Sequence, residues 1–336
     1  MYNKKLLLLI FPILIFFFGC SIFNDSKEYS ETRLIMGTFV QIKLISPKLN
    51  KKQLKNICND VFKYGIDLEQ KLTIFNKNSE VNILNFKKKK YVSDELFEII
   101  KKSLDINILT KGRFDITVAP ILKKNGFYKN MDLEILNNIS DSLNNIGIEN
   151  IILNNKNNIV ILNNNIFLDL SGIAKGYIVD KMSEFLKQKQ INNFLINAGG
   201  DIYCTKKNNN KKWNIGIKDP RSNEIQITLN ISNLAIATSG DYENVVVKEK
   251  TNKEISHIVD PILKESKEKK YMSVSVISSN CKKADAFATA IMNMKKQEAL
   301  DLAETTKDIE IIVIEYKKSK KEIFYSKRIK KFLKER

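Results

Sequence analysis

The chain has 336 residues, of which 43% are hydrophobic and 28% charged, with a formal net charge of +18. That is apolar material for a large core, and it excludes a disordered polyelectrolyte. Four widely spaced cysteines exclude a disulfide framework or a zinc ribbon, and one histidine confines any imidazole chemistry to a single position. The lysines are spread along the chain, often beside asparagine as in Lys206-Lys-Asn-Asn-Asn-Lys-Lys212, so the charge reads as solvated surface rather than a nucleic-acid interface.

Lys4 and Lys5 precede an apolar run from Leu6 to Phe18 that ends at Gly19-Cys20. The run is short for a membrane span and has the layout of a bacterial lipoprotein signal. Residues 1–19 are therefore expected to be removed and Cys20 to carry the lipid, on the periplasmic face of the inner membrane where a cell has two membranes. Phe16, Phe17 and Phe18 are bulkier than the usual residues before such a site, and an uncleaved N-terminal anchor is the alternative. A polar tether is expected over 20–30, a folded domain over 31–316 and a dense basic tail over 317–336, suited to anionic headgroups.

Within the domain, Arg33 to Leu44 reads as a strand carrying Met36-Gly-Thr38, and Lys51 to Lys71 as a helix with Leu54, Cys58, Val61 and Leu68 on one side. Asp94 to Lys111 is a second helix, with Ser93 or Asp94 able to cap it and Gly112 to stop it. Phe114 to Thr117 reads as a strand, with Asp115 and Thr117 on one face. The asparagine-rich stretch 125–165 holds a helix from Asp132 and a hairpin between Ile151–Leu153 and Ile159–Leu162. Ile166 to Leu170 reads as a buried strand running through a glycine-flanked turn into a helix, whose Tyr177, Ile178, Met182, Phe185 and Leu186 recur at helical spacing. Strands follow at Phe194–Asn197, Trp213–Ile217, Ile225–Ile231, Ala235–Ala237 and Met272–Ser278, then a helix over Lys283–Met294 and a strand over Ile309–Tyr316. Strands and helices alternate without a βαβ period, which argues for an α+β fold of mixed, largely antiparallel sheets with flanking helices.

Three features carry chemistry. In Asp169-Leu-Ser-Gly-Ile-Ala-Lys-Gly176 the glycines allow close backbone approach, and Lys175 sits in a first helical turn, where free N–H groups and the helix dipole favour an anion. Asp285 and Thr289 are four apart on one helix face among Ala284, Ala286, Ala288 and Ala290; carboxylate plus hydroxyl suits a hard cation such as magnesium, which takes few protein ligands. His257 precedes Asp260-Pro261 in a short strand-like stretch suited to a loop beside a site. Gly199-Gly200 and Thr238-Ser239-Gly240 read as tight turns nearby.

These blocks stand in order with Met36-Gly-Thr38, Gly112-Arg-Phe-Asp-Ile-Thr-Val-Ala-Pro120, Asn197-Ala-Gly-Gly-Asp201, Ala237-Thr-Ser-Gly-Asp-Tyr242, His257-Ile-Val-Asp-Pro261 and Ala284-Asp-Ala-Phe-Ala-Thr289. The set, from Met36 to Met294, resembles the ApbE-type FAD:protein FMN transferases. The resemblance implies a two-lobed enzyme with the flavin site between its lobes. It would use magnesium to transfer FMN from FAD to a threonine hydroxyl of an acceptor protein, with AMP leaving. It implies that Asp285, Thr289 and the Gly172 carbonyl hold the metal and that His257 takes the threonine proton. It also implies that Met36, Phe75, Arg113, Phe114, Asp115, Asp169, Lys175 and His257 border the FAD. Two positions depart from the family pattern: Phe75 replaces a common tyrosine, and Ile262-Leu-Lys-Glu265 replaces an Arg/Thr/Gly turn. A magnesium-dependent FAD pyrophosphatase and a non-catalytic flavin-binding lipoprotein are the alternative readings.

Overall fold

The computed structural model describes residues 26–207, 210–222, 224–241, 245–248, 253–266, 271–317 and 320–334; the expected signal and lipidation site lie outside these. Strands β1 (Lys27–Ile35) and β2 (Thr38–Ser46) pair antiparallel through Met36-Gly37. The φ values of these two residues, 56° and 66°, are those of a tight hairpin turn whose twist matches its strands. The strand expected over Arg33–Leu44 is thus a hairpin with Met36 at its tip, and ladder pairing begins inside the expected tether.

Helix α1 (Lys51–Leu72) starts at Asn50, which exchanges capping-box bonds with Gln53. Helix α2 (Glu80–Lys87), capped by Ser79, and the short strand β3 (Lys89–Tyr91) follow. Helix α3 (Asp94–Leu109) is capped by the Ser93 side chain and ends through Lys111 and Gly112, both in left-handed backbone. Beyond it come α4 (Ala119–Lys124), α5 (Leu133–Asn138) with Asp132 as its cap, and the expected hairpin β4 (Ile151–Asn154) and β5 (Ile159–Leu162), to which β3 adds a third strand. The rest of the chain is α6 (Ser171–Gln188), β6 (Asn193–Ala198), β7 (Asp201–Cys204), β8 (Trp213–Lys218), β9 (Ile225–Ile231), β10 (Leu234–Gly240), β11 (Val245–Lys248), β12 (Lys253–Ser256), β13 (Tyr271–Ser278), α7 (Cys281–Ile291), α8 (Lys296–Thr305), β14 (Ile309–Lys317) and β15 (Lys320–Tyr325), ending in a 3-10 segment, Lys327–Phe332.

The central sheet has eight strands in the order β1-β2-β6-β7-β10-β13-β14-β15, and every strand pairing among the described residues is antiparallel. Alternation along each strand sorts its side chains between two cores. Val40, Ile42, Leu44, Val274 and Val276 pack into the larger core, shared with α1, α3, α6 and α7. Ile45, Ile202, Ile236, Ile277 and Ile312 face the other way and are covered by Trp213, Ile215, Ile217 and Leu229 of the β8–β9 hairpin. The basic segment after residue 316 belongs to this architecture: β15 pairs with β14, Ile329 is buried, and Arg328 binds Glu310.

Two expected strands are absent. Ile166 to Leu170 is buried but joins no ladder, because the Asn85 amide pairs with both polar groups of Leu168 (2.8 and 3.0 Å) and Asp169 donates its N–H to the Ile116 carbonyl (2.7 Å). Phe114 to Thr117 is a turn, closed by Asp115 Oδ1, which accepts from the Thr117 N–H and hydroxyl at 2.7 and 2.6 Å.

Helices α6 and α7 run antiparallel in contact, and Gly176 sets how close they come. A Cβ there would lie 2.5 Å from the Cys281 carbonyl oxygen and 2.9 Å from Asp285 Cβ. Asp180, one turn further along α6, accepts the Cys281 and Lys282 N–H groups at 2.7 and 3.0 Å and so caps α7; burial pushes its carboxyl up to about 6. Gly176→Ala should therefore destabilise the protein by about 1–3 kcal/mol, since backbone cannot yield as a side chain does. Chemical denaturation measures this, and unchanged stability would mean the helices are not in van der Waals contact.

Candidate active site

The antiparallel crossing brings the start of α6 to the end of α7. Gly172, in the first turn of α6, faces Thr289: a Cβ on Gly172 would lie 3.7 Å from Thr289 Oγ1 and 3.2 Å from the Phe114 ring. One turn on, the Gly176 N–H donates to Asp285 Oδ2 at 3.0 Å. In a regular helix that N–H serves the Gly172 carbonyl, so the Asp285 carboxylate competes with that carbonyl for the same donor. Asp285 is buried and Thr289 half-buried, with Ser239 Oγ 3.5 Å from Thr289 Oγ1. The sequence-predicted metal set thus converges.

A second carboxylate stands in the same place. Asp201, the first residue of β7, is 1% exposed, and the Lys175 ammonium lies 3.3 Å from its Oδ2. The Asp285 carboxyl is within hydrogen-bonding reach of Asp201, as is the Thr238 backbone. Burial raises the Asp201 pKa above the usual carboxylate range, against the opposing pull of Lys175. Asp201 Oδ2 makes no aligned hydrogen bond, an uncommon condition for a buried carboxylate and one a cation relieves. Among the described residues no three His, Cys, Asp or Glu side chains cluster as a metal cage. The donors are instead a carboxylate, a hydroxyl and a backbone carbonyl, with a second carboxylate behind, and such an oxygen set fits magnesium.

The turns around this cluster come from the ends of neighbouring strands. Gly199 and Gly200, with φ of 58° and 102°, link β6 to β7 and lead directly into Asp201. A Cβ on Gly199 would strike Thr38 Oγ1 at 2.3 Å, so the Met36-Gly37 hairpin tip adjoins the same sheet end. Thr238 to Gly240 form the end of β10 rather than the expected turn, with Thr238 Oγ1 2.7 Å from Ser275 Oγ.

The His257 segment is held near the end of α7 by two tethers. Asn293, just past α7, donates to the Val259 carbonyl at 2.8 Å, and Arg113 pairs with buried Asp260 at 2.9 Å. His257 itself is half-buried. Asp260 Oδ1 also accepts the Ile262 and Leu263 N–H groups, so the stretch that departs from the family pattern is held by its own turn.

Several expected FAD-bordering residues have partners within the chain. Asp169 uses both oxygens, accepting the Tyr128 hydroxyl at 2.5 Å and the Ser171 N–H at 2.8 Å. Asp115 is satisfied by Thr117, and the Thr117 hydroxyl accepts from the Gly147 N–H. Desolvation still raises the Asp115 pKa. Phe114 is buried against Gly172, while Phe75, 66% exposed between α1 and α2, has no hydrogen bond, ion pair or ring contact with the others. The α6 amides are largely committed as well: Ser171 N–H to Asp169, and Ile173 and Ala174 N–H to the Leu170 carbonyl. The expected free N–H groups are thus corrected: an anion at this terminus would meet chiefly the helix dipole and the nearby Lys175. The sequence reading missed Asp201 and Asp180; the signal for Asp180 was a carboxylate interrupting the apolar stripe of α6.

The ApbE family model matches residues 36–313. A protein from Vibrio cholerae named FAD:protein FMN transferase is 28% identical over 80% of this chain and 82% of its own. One of the same name from Buchnera aphidicola is 29% identical over 96% and 97%. Among solved structures, the ApbE protein of Thermotoga maritima superposes with a TM-score of 0.80 at 27% identity, covering 92% of this chain and 100% of that one. The flavin transferase ApbE of Vibrio cholerae superposes at 0.77 and 26%, covering 92% and 100%.

Arg113→Met strands the Asp260 carboxylate and should cost about 3 kcal/mol. The Arg113→Met and Asp260→Asn changes should be strongly non-additive in a double-mutant cycle. Additive losses would show that the pair does not hold the His257 segment.

Proposed function

The chain belongs to the ApbE family, and from that premise we propose that it transfers FMN from FAD to a threonine hydroxyl of an acceptor protein, with magnesium, releasing AMP. The observation that carries the reading is the convergence of Gly172, Asp285 and Thr289 across the α6–α7 contact, with Lys175 beside them. The names of the relatives supply the FAD substrate and the protein acceptor. The lipoprotein signal supports an exported enzyme anchored through Cys20. Among the described residues no helix is long and apolar enough to cross a membrane.

Asp285, Thr289 and the Gly172 carbonyl hold the magnesium in this reading. Bound there, the ion supplies positive charge that neutralises the diphosphate of FAD. Lys175 adds a second positive charge at the α6 N-terminus. His257, on its tethered segment, accepts the proton of the threonine hydroxyl, whose oxygen attacks the FMN-side phosphorus. The bond to the AMP phosphate breaks, AMP leaves with the electron pair, and FMN remains on the acceptor as a phosphoester. Met36, at the hairpin tip, offers a soft apolar surface for the flavin or adenine ring. Phe75 and Arg113 remain in the reading as borders of the FAD, the latter through the segment it anchors.

Incubation with FAD, magnesium and an acceptor domain should give a fluorescent protein whose mass has risen by one FMN. Asp285→Ala should lower that yield at least about 100-fold, the scale on which loss of transition-state charge stabilisation registers. Free FMN and AMP with no labelled protein would instead identify a pyrophosphatase. Intact FAD after long incubation would identify a binding protein.

A further inference from the structure

Resting on the metal reading above, we infer that Lys175 is a built-in counter-ion that competes with the divalent cation for the Asp201–Asp285 pair, so that loading the metal releases the ammonium toward the substrate's diphosphate. Asp201 is then a positioning residue. It holds the lysine in reserve and adds a second negative charge to the metal site.

The argument begins with an asymmetry. Asp201 cannot leave: its side chain is 1% exposed, it starts β7 directly after the Gly199-Gly200 turn, and the Thr238 backbone fixes it from β10. Asp285 is equally fixed, being buried on α7 and bonded to the Gly176 N–H. Lys175 is different, because its side chain is 26% exposed. Its ammonium pairs with Asp201 Oδ2 at 3.3 Å from the end of a flexible four-carbon stem, which can carry the charge to a new position without moving the backbone.

Two carboxylates within hydrogen-bonding reach repel unless a cation or a shared proton stands between them. The lysine ammonium does this with one charge and a divalent ion does it with two. A divalent ion on Asp285 repels the ammonium held on the neighbouring Asp201, so the two cations compete for the pair. The displaced lysine stays in the second turn of α6, close to the helix N-terminus whose dipole favours the phosphates it would meet.

Magnesium binding by calorimetry, without FAD or acceptor, tests the inference apart from activity. Lys175→Met should bind magnesium about tenfold more tightly than the parent protein and melt at a lower temperature when no metal is added, while Lys175→Arg should keep the parent affinity. Lys175→Gln serves as a second neutral variant should the Met variant not fold. In an Asp201→Asn background the gain from removing Lys175 should vanish. Equal or weaker magnesium binding by the neutral variants would overturn the inference, and with Asp285→Ala abolishing binding it would leave the metal site intact. Undiminished magnesium binding by Asp285→Ala would overturn the metal site and the inference together.

Discussion

One contact organises this molecule: the antiparallel approach of α6 and α7, which only a glycine at 176 permits. Because no Cβ intervenes, the Asp285 carboxylate reaches the α6 backbone and Gly172 comes to face Thr289. The same approach places Asp180 under the first amides of α7, so the helices are fixed at both ends of their contact. Fold and candidate chemistry thus share one geometric constraint, and a methyl group at its centre disturbs both.

The helix pair alone would leave a charge problem. Burying Asp201 near Asp285 sets two carboxyl groups side by side away from water, which disfavours charge on both at once. The chain sets Lys175 at one carboxylate and a backbone N–H at the other, and the sheet holds the residues that would otherwise move apart. The proposed metal site therefore carries two carboxylates on fixed backbone, with the Lys175 ammonium paired to one of them. The turns Met36-Gly37 and Gly199-Gly200 and the end of β10 gather at the same sheet end, which gives the site walls from strands far apart in sequence.

Much of this was legible in the sequence, for physical reasons that differ by element. Long amphipathic helices such as α1 and α3 announced themselves through periodicity and caps, and Asn50 and Ser93 fixed their starts. Asp285 and Thr289 were legible because a helix places positions four apart on one face. Short helices α2 and α4 were not, because too few residues establish a period. Ile166 to Leu170 misled because a buried apolar run looks like a strand, whereas its backbone partner is the amide of Asn85, 83 residues away from Leu168. Phe114 to Thr117 misled because alternation of polar and apolar residues also suits an Asp-closed turn. Asp201 was visible as a letter but not as a partner of Lys175, since only the folding of β7 against α6 joins them.

The most direct test of the account is a crystal structure of the chain soaked with manganese and FAD, read by anomalous scattering. An anomalous peak bound by Asp285, Thr289 and the Gly172 carbonyl, at roughly 2.0–2.3 Å from each oxygen and against the FAD diphosphate, is the predicted result. A manganese peak at other residues, with no bond from Asp285 or Thr289 to the metal beside the bound FAD, would contradict it.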